Sequence, residues 1–172
     1  MSEDKNNKIC LTGFMACGKS TVGRCLASRL GWRFLDLDAL IVEREGKSIP
    51  EIFLEGEAVF RQKEYEALTQ ALDGAKGEKL VIALGGGAFA HGKTREYALE
   101  HSLTVFIDVP YEIIKARLGA SDPTRPLSAK SEKLYYERQE SYSRADITVD
   151  GTCGTPDRLA EIIALCLEAR RP

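Results

Sequence analysis

The sequence contains few of the residues on which several common catalytic and structural sites depend. Its 172 residues include two histidines, His91 and His101, and one tryptophan. Two histidines provide little material for a histidine-rich metal site or a serine–histidine relay. The five cysteines are an odd number and form no C-x-x-C pair. We therefore expect them to be reduced and unlinked.

The sequence also lacks an excess of charge of one sign and a long apolar run. Twenty-four basic and twenty-six acidic side chains give a net charge of −2, so we expect no binding to nucleic acid or to anionic membranes. No apolar run approaches the roughly twenty residues of a membrane span, and residues 1–8 have no signal-peptide core. We expect a cytoplasmic, monomeric protein whose partners are small molecules.

The composition and the order of predicted elements indicate an α/β fold. With 44% apolar and 29% charged residues, the chain has ordinary globular composition, and its length suits one domain spanning residues 1–172. Five apolar runs alternate with helical patterns, which predicts a parallel sheet flanked by helices. Ser48 with Glu51, and Thr155 before Pro156, predict two helix starts. We place the strands at residues 8–12, 33–36, 80–84, 103–109 and 147–149.

Residues 13–20, Gly-Phe-Met-Ala-Cys-Gly-Lys-Ser, match the phosphate-binding loop pattern G-x-x-x-x-G-K-[ST]. They lie between the first strand and a helical pattern that ends at Gly31, as this loop requires. In such a loop backbone N–H groups surround phosphate oxygens, Lys19 reaches the β- and γ-phosphates, and the Ser20 hydroxyl can bind Mg²⁺. The predicted nucleotide site includes Gly13, Ala16, Cys17, Gly18, Lys19, Ser20 and Thr21.

Two carboxylates, Asp36 and Asp38, follow the second predicted strand. Because side chains alternate along an extended segment, we expect both to point toward the crevice that holds the phosphate loop. One can hold Mg²⁺ while the other orients or deprotonates an attacking hydroxyl. The alternative is that either carboxylate caps a helix predicted at residues 39–43.

Three further features are individually weak signals. Three glycines, Gly85, Gly86 and Gly87, directly follow the third strand, where they permit close approach of a ligand or form an ordinary flexible turn. Arg61 lies on a predicted helix, and Glu64 three residues later could fix its guanidinium, although such pairs are usually solvated. Arg138 lies in a helical stretch at residues 132–144 and has the same ordinary alternative.

Residues 119–130 form the longest stretch with loop chemistry and no periodicity. Such a loop in a compact domain is usually functional or disordered. Because Arg125 stands beside Pro126 at its centre, we favour a mobile lid over a plain surface loop.

Taken in order, these motifs resemble the shikimate kinase family over nearly the whole chain. The resemblance implies the nucleoside monophosphate kinase fold, a three-layer P-loop architecture with a five-stranded parallel sheet. It also implies ATP-dependent phosphorylation of the 3-hydroxyl of shikimate, in the route to aromatic amino acids. The residues that carry the resemblance are Gly18-Lys19-Ser20, Asp36 with Asp38, the Gly-Glu-Ala-Val-Phe-Arg segment at 56–61, the glycine triplet, Arg125-Pro126-Leu127, and Arg138.

The resemblance further implies a role for each of these residues. Lys19, Asp38 and Arg125 would be catalytic, with Lys19 and Arg125 neutralising the γ-phosphate. Ser20 and Asp36 would hold Mg²⁺. Arg117 and Pro156 would flank the adenine of ATP. Shikimate would be held by Asp38, Arg61, Gly85, Gly86, Gly87 and Arg138.

The chain departs from the family pattern at three places. Residues 138–142 read Arg-Gln-Glu-Ser-Tyr where the family has R-x-P-x-Y, Ser128 follows the lid Arg-Pro-Leu, and Leu84 precedes the glycines where threonine is common. Two alternatives stay open: a kinase of the same fold acting on gluconate or a nucleotide, and a non-catalytic nucleotide-binding module. A GTPase is disfavoured because N-K-x-D and D-x-x-G do not occur.

Overall fold

The computed structural model describes residues 5–121 and 129–170. Five strands form one sheet in the order β2-β3-β1-β4-β5, and every neighbouring pair is parallel. The five predicted strands are confirmed, and their ends differ from prediction by at most one residue. They are β1 (Lys8–Thr12), β2 (Arg33–Asp36), β3 (Leu80–Ala83), β4 (Leu103–Asp108) and β5 (Ile147–Asp150).

Eight α-helices lie within the described residues and flank the sheet. Both predicted helix starts are confirmed: Ser48 and Glu51 form a reciprocal capping box, and the Thr155 hydroxyl accepts a hydrogen bond from the Arg158 N–H. The helices are α1 (Lys19–Leu30), α2 (Leu37–Glu45), α3 (Ile49–Leu54), α4 (Glu57–Gly74), α5 (Gly92–His101), α6 (Tyr111–Ser121), α7 (Ala129–Tyr142) and α8 (Pro156–Glu168).

The burial of each strand follows its place in the sheet. The inner strands β1 and β3 are buried along their whole length, and β4 is buried except at Asp108. At the two edges, β2 has no fully buried residue and β5 alternates buried with exposed residues. Near-continuous apolar strands are therefore the ones covered by helices on both faces.

The sheet order brings together the chain segments that follow β1, β2 and β3, at the carboxyl ends of these strands. The register places Ala83 beside both Leu11 and Asp36, so the carboxyl ends of β1, β2 and β3 are neighbours. The phosphate loop follows β1, Asp36 ends β2, and the glycine triplet follows β3. In an open parallel sheet this edge is where ligands bind.

The aperiodic stretch predicted at residues 119–130 is shorter in the structure. Gly119 to Ser121 are the last residues of α6, and α7 already begins at Ala129. The prediction of a loop is wrong at these two ends, because short helical turns there carry no clear apolar periodicity. The centre of the predicted lid, including Arg125, lies outside the described residues.

Two other expectations concern features of the whole chain. All five cysteines are free, in agreement with the prediction of unlinked thiols. Within residues 5–121 and 129–170, no helix has the length and apolar character needed to cross a membrane.

Candidate active site

The phosphate loop joins β1 to α1 through backbone conformations that few residues adopt. Gly13 has φ 145°, Ala16 has φ 60° and Gly18 has φ 101°. A side chain at Gly13 would place its Cβ 2.8 Å from both the Ile107 carbonyl oxygen and the Cys17 Sγ. Glycine at position 13 is therefore required by backbone angle and by space, as the motif predicts.

Lys19, the first residue of α1, is folded against this loop. Its Nζ donates hydrogen bonds to the carbonyl oxygens of Gly13 and Phe14, both at 2.9 Å. Only 9% of the residue is exposed, so the ammonium is held at the loop with little freedom. The positive charge and the amino end of α1 thus stand together, which is the arrangement that binds phosphate.

Ser20 and Asp36 contact each other directly. The Ser20 hydroxyl donates to Asp36 Oδ2 at 2.5 Å, while Asp36 Oδ1 accepts from the Ala39 N–H at 3.2 Å. A hydroxyl beside a carboxylate is an oxygen donor set that suits Mg²⁺. The part of the chain that the structure describes holds no group of three His, Cys, Asp or Glu side chains placed to bind a metal ion by themselves. Mg²⁺ in a kinase needs only one or two protein oxygens in addition to water and substrate phosphates.

The expectation that Asp36 and Asp38 both lie in an extended segment is wrong, although both side chains line the same pocket. The strand ends at Asp36, which is the N-cap of α2, and Asp38 lies in the first turn of that helix. The capping alternative is thus correct for Asp36. Both carboxylates line a cavity of about 300 Å³ together with the phosphate loop and Gly86.

Asp38 and Glu64 bring two buried carboxylate oxygens to Gly85. Asp38 Oδ1 and Glu64 Oε1 are both buried and have no hydrogen-bond partner among the described residues. A Cβ on Gly85 would lie 2.7 Å from each of these oxygens. Burial, then the charge of Asp36, raises the pKa of Asp38, and burial raises the pKa of Glu64 to about 7. A carboxylate that lines the phosphate pocket and has a raised pKa is suited to accept a hydroxyl proton.

Arg61 is held by a buried partner and by two aromatic rings. Its Nη1 donates to Glu64 Oε2 at 2.8 Å, and Glu64 is fully buried. The guanidinium lies over the stacked rings of Phe53 and Phe60. The ordinary reading of this pair as a solvated surface contact is therefore wrong. A side chain at Gly87 would collide with the guanidinium, which explains that glycine.

Arg138 reaches the same region from α7. Its Nη1 donates to the Gly86 carbonyl oxygen at 3.1 Å, and its guanidinium lies over the Phe14 ring. Arg61, Gly87 and Arg138 share the lining of an open cavity of about 650 Å³. Because Gly86 and Gly87 are adjacent, this cavity adjoins the phosphate pocket. The structure therefore brings the predicted substrate residues beside the predicted phosphate residues.

The two residues predicted to flank adenine, Arg117 and Pro156, make no contacts among the described residues that define an adenine pocket. Arg117 Nη1 donates to the carbonyl oxygens of Ala16 and Cys17 at 3.1 and 3.3 Å, so it lies against the phosphate loop. Pro156 is exposed in the first turn of α8. Their contact with adenine stays a prediction.

Two residues of the site are absent from the predicted set. Glu64 was expected only as an anchor for Arg61, yet it also presents a free oxygen beside Asp38. Tyr142 donates its hydroxyl hydrogen to the Gly86 carbonyl oxygen, which Arg138 also contacts. The signal was helical spacing, since Tyr142 follows Arg138 by four residues and lies on the same face.

Comparison with known proteins gives consistent results. The family model described as shikimate kinase matches residues 15–168. A curated shikimate kinase from Gloeobacter violaceus is 40% identical over 173 residues, covering 96% of this chain and 95% of that protein.

Two solved structures share the fold over nearly their full lengths. Shikimate kinase from Aquifex aeolicus superposes with a TM-score of 0.81 at 39% identity, covering 94% of this chain and 96% of that one. Shikimate kinase from Acinetobacter baumannii in complex with shikimate superposes with a TM-score of 0.83 at 33% identity, covering 96% and 95%. The predicted P-loop kinase fold is thereby confirmed, and the chain belongs to the shikimate kinase family.

Proposed function

We propose that this chain transfers the γ-phosphoryl group of ATP to the 3-hydroxyl of shikimate. The observation that carries the proposal is the pair of adjoining cavities. One is lined by the phosphate loop and Asp38, and the other by Arg61 and Arg138. A donor phosphate and a carboxylated acceptor can meet between them, at the glycine triplet.

The acceptor cavity has the groups that shikimate requires. Shikimate is a small anion with three hydroxyls, so its recognition needs cationic forks and hydrogen-bond acceptors. Arg61, fixed by Glu64, supplies one fork, and Arg138 supplies another. Asp38, which lines the adjoining phosphate cavity, supplies a carboxylate that can orient a hydroxyl and take its proton. Gly87, the last residue of the glycine triplet, lines the same cavity as the two arginines.

On the donor side, Lys19 supplies a fixed positive charge for the phosphates of ATP. Ser20 and Asp36 would hold Mg²⁺, which when bound neutralises charge on the transferring phosphate. Arg125 would add a further cation at the γ-phosphate, and Arg117 with Pro156 would flank the adenine.

The alternatives from the sequence are less well supported. A gluconate or nucleotide kinase of the same fold would share the donor side. Asp38 with Arg61 and Arg138 favours a carboxylated polyol as acceptor, which disfavours a nucleotide but not gluconate. A non-catalytic nucleotide-binding module has no need for a Mg²⁺-binding pair such as Ser20 and Asp36 beside Lys19 of the phosphate loop. Membership of the shikimate kinase family favours shikimate phosphorylation over both of these alternatives.

The test is a coupled assay of ADP release with shikimate, quinate, gluconate and nucleoside monophosphates as acceptors, with and without Mg²⁺. We expect turnover with shikimate and Mg²⁺, and loss of turnover when the metal is chelated. Faster turnover with gluconate or a nucleoside monophosphate would contradict the proposal.

The variant Lys19→Met distinguishes turnover by this protein from turnover by a contaminating kinase in the same assay. Lys19→Met removes one fixed charge at the phosphates and should lower kcat at least about a hundredfold. Circular dichroism serves as the control for folding. Wild-type turnover by a folded Lys19→Met variant would remove the phosphate loop from the mechanism.

A further inference from the structure

The two guanidinium groups of the acceptor cavity are held in different ways. Arg61 is bonded to Glu64 on its own helix, α4. Arg138 lies on α7, and its Nη1 donates to Gly86 on the loop after β3. The place of Arg138 in the cavity therefore depends on how α7 is held against that loop.

Arg95, on α5, connects the loop to the helix. Its Nη1 lies 3.4 and 3.5 Å from the carbonyl oxygens of Phe89 and Ala90, which follow the glycine triplet after Ala88. The same nitrogen donates to the Ser141 hydroxyl on α7 at 3.2 Å. Only 15% of the Arg95 side chain is exposed. Because one rigid, planar group contacts both sides, separation of α7 from the loop would break part of its bonding.

A second link, at the protein surface, joins α5 to the chain just beyond α7. Glu96 Oε1 lies 3.4 Å from Arg95 Nε, and both Glu96 oxygens accept from Arg144, at 2.6 and 3.2 Å. Arg144 lies two residues beyond the end of α7. Exposed pairs of this kind contribute little alone, so of these two links we assign the larger positioning effect to the more buried Arg95–Ser141 contact.

The end of α7 is held by contacts of its side chains. Tyr142 donates its hydroxyl hydrogen to the Gly86 carbonyl oxygen, and Ser141 accepts a hydrogen bond from Arg95. Both residues follow Arg138 within about one turn of the same helix. These contacts therefore place the Arg138 backbone beside the loop after β3.

We propose that Arg95 is a positioning residue for the acceptor: through Ser141 it holds α7 against the loop after β3, so that Arg138 faces the cavity. This inference rests on the proposed function. None of the described hydrogen bonds of Arg95 or Ser141 reaches the phosphate loop. Breaking the contact should therefore weaken shikimate binding and leave ATP binding unchanged.

The experiment is a double-mutant cycle with Arg95→Ala, Ser141→Ala and the combined variant, measuring KM for shikimate, KM for ATP and kcat. We expect Ser141→Ala to raise the shikimate KM about three- to tenfold and Arg95→Ala to raise it at least about tenfold. The combined variant should be no worse than Arg95→Ala, because both changes break one contact. Ser141→Thr keeps the hydroxyl and should restore most of the affinity.

Two matched controls separate positioning from general damage. Ser143→Ala removes an exposed hydroxyl that bonds only locally, to the Glu140 carbonyl oxygen, and Arg33→Ala removes an exposed arginine paired with Glu78. Both should leave the shikimate KM at the wild-type value. If Arg95→Ala does not fold, the comparison of Ser141→Ala with Ser141→Thr decides.

Several results would overturn the inference. They are an unchanged shikimate KM in Ser141→Ala, an equal rise in both KM values, and independent, multiplicative effects of the two substitutions. Wild-type turnover with shikimate alongside any of these results would reject the positioning role alone. A wild-type protein without shikimate turnover would instead reject the proposed function.

Discussion

Two single residues, Arg61 and Asp38, have different roles toward the acceptor. The Arg61 guanidinium is already fixed by Glu64 before any ligand arrives, so little ordering is needed when a carboxylate binds. Asp38 instead lines the phosphate cavity, and burial raises the pKa of its carboxylate. The first residue is suited to binding and the second to proton transfer.

This division predicts different kinetic defects. Arg61→Ala should remove a charged fork for the acceptor and raise the shikimate KM by a factor corresponding to about 2–4 kcal/mol, with little change in the ATP KM. Asp38→Asn keeps the shape but removes the base, so its loss should appear mainly in kcat. Steady-state kinetics with both substrates varied measures each effect. Equal weakening of ATP and shikimate in Arg61→Ala would contradict the assignment.

Gly85 illustrates how little space the site leaves. A methyl group there would lie 2.7 Å from both Asp38 Oδ1 and Glu64 Oε1, and neither belongs to a long flexible side chain free to move away. We expect Gly85→Ala to lower kcat/KM for shikimate at least about tenfold, because one carboxylate must move. Gly74→Ala is the matched control, since no atom lies within 4 Å of its added Cβ. A Gly85→Ala enzyme with wild-type kinetics would show that these carboxylates can move without cost.

At the scale of elements, short helices around the acceptor cavity depend on local caps. The six-residue helix α3 begins with the Ser48–Glu51 capping box and carries Phe53, whose ring contacts Arg61. A helix this short is marginal without such a cap and without tertiary packing.

Removal of the cap should therefore be visible in stability. Ser48→Ala should lower the free energy of unfolding by about 1 kcal/mol, because a helix N–H loses its partner. Ser48→Thr keeps the hydroxyl and should remain within a few tenths of wild type. Chemical denaturation followed by circular dichroism measures both. Equal stability of Ser48→Ala and wild type would mean that packing alone sets the start of α3.

The predicted elements were accurate where a strand or cap has a local signature, and less accurate where it has none. The ends of α6 and α7 were assigned to a loop because Gly119 to Ser121 and Ala129 lack an apolar stripe. The helical start at Leu37 was anticipated only as an alternative, since the Asp-x-Asp pattern also fits an extended chain.

At the scale of the whole molecule, buried Glu64 links stability to pH. Burial raises the pKa of Glu64 to about 7, so the folded protein holds this proton more tightly than the unfolded chain does. The stability from this group is full below its unfolded pKa of about 4.5, falls as pH rises, and is lost above about pH 7.

The prediction is a comparison of melting temperatures. The wild-type Tm should fall relative to that of Glu64→Gln between about pH 5 and pH 7, because glutamine does not titrate. Glu66→Gln, an exposed change on the same helix, is the control for general charge effects. A constant difference in Tm across this range would show that Glu64 does not change protonation there.

Four expectations about the whole molecule stay predictions. They are the single-domain organisation over residues 1–172, the lid, the monomeric state and the cytoplasmic location.

The sequence by itself determined the five strands, the phosphate loop, the helix caps and the family, because each depends on residues close together in the chain or on motifs in fixed order. The tertiary structure decided which side chains meet. Sheet order placed Asp36 and Ala83 side by side, and folding buried Glu64 against Gly85 and brought Arg95 between two walls of the cavity. These contacts join residues far apart in the chain, and burial sets the pKa values of the carboxylates in the site. Neither the contacts nor the burial can be predicted from local sequence patterns.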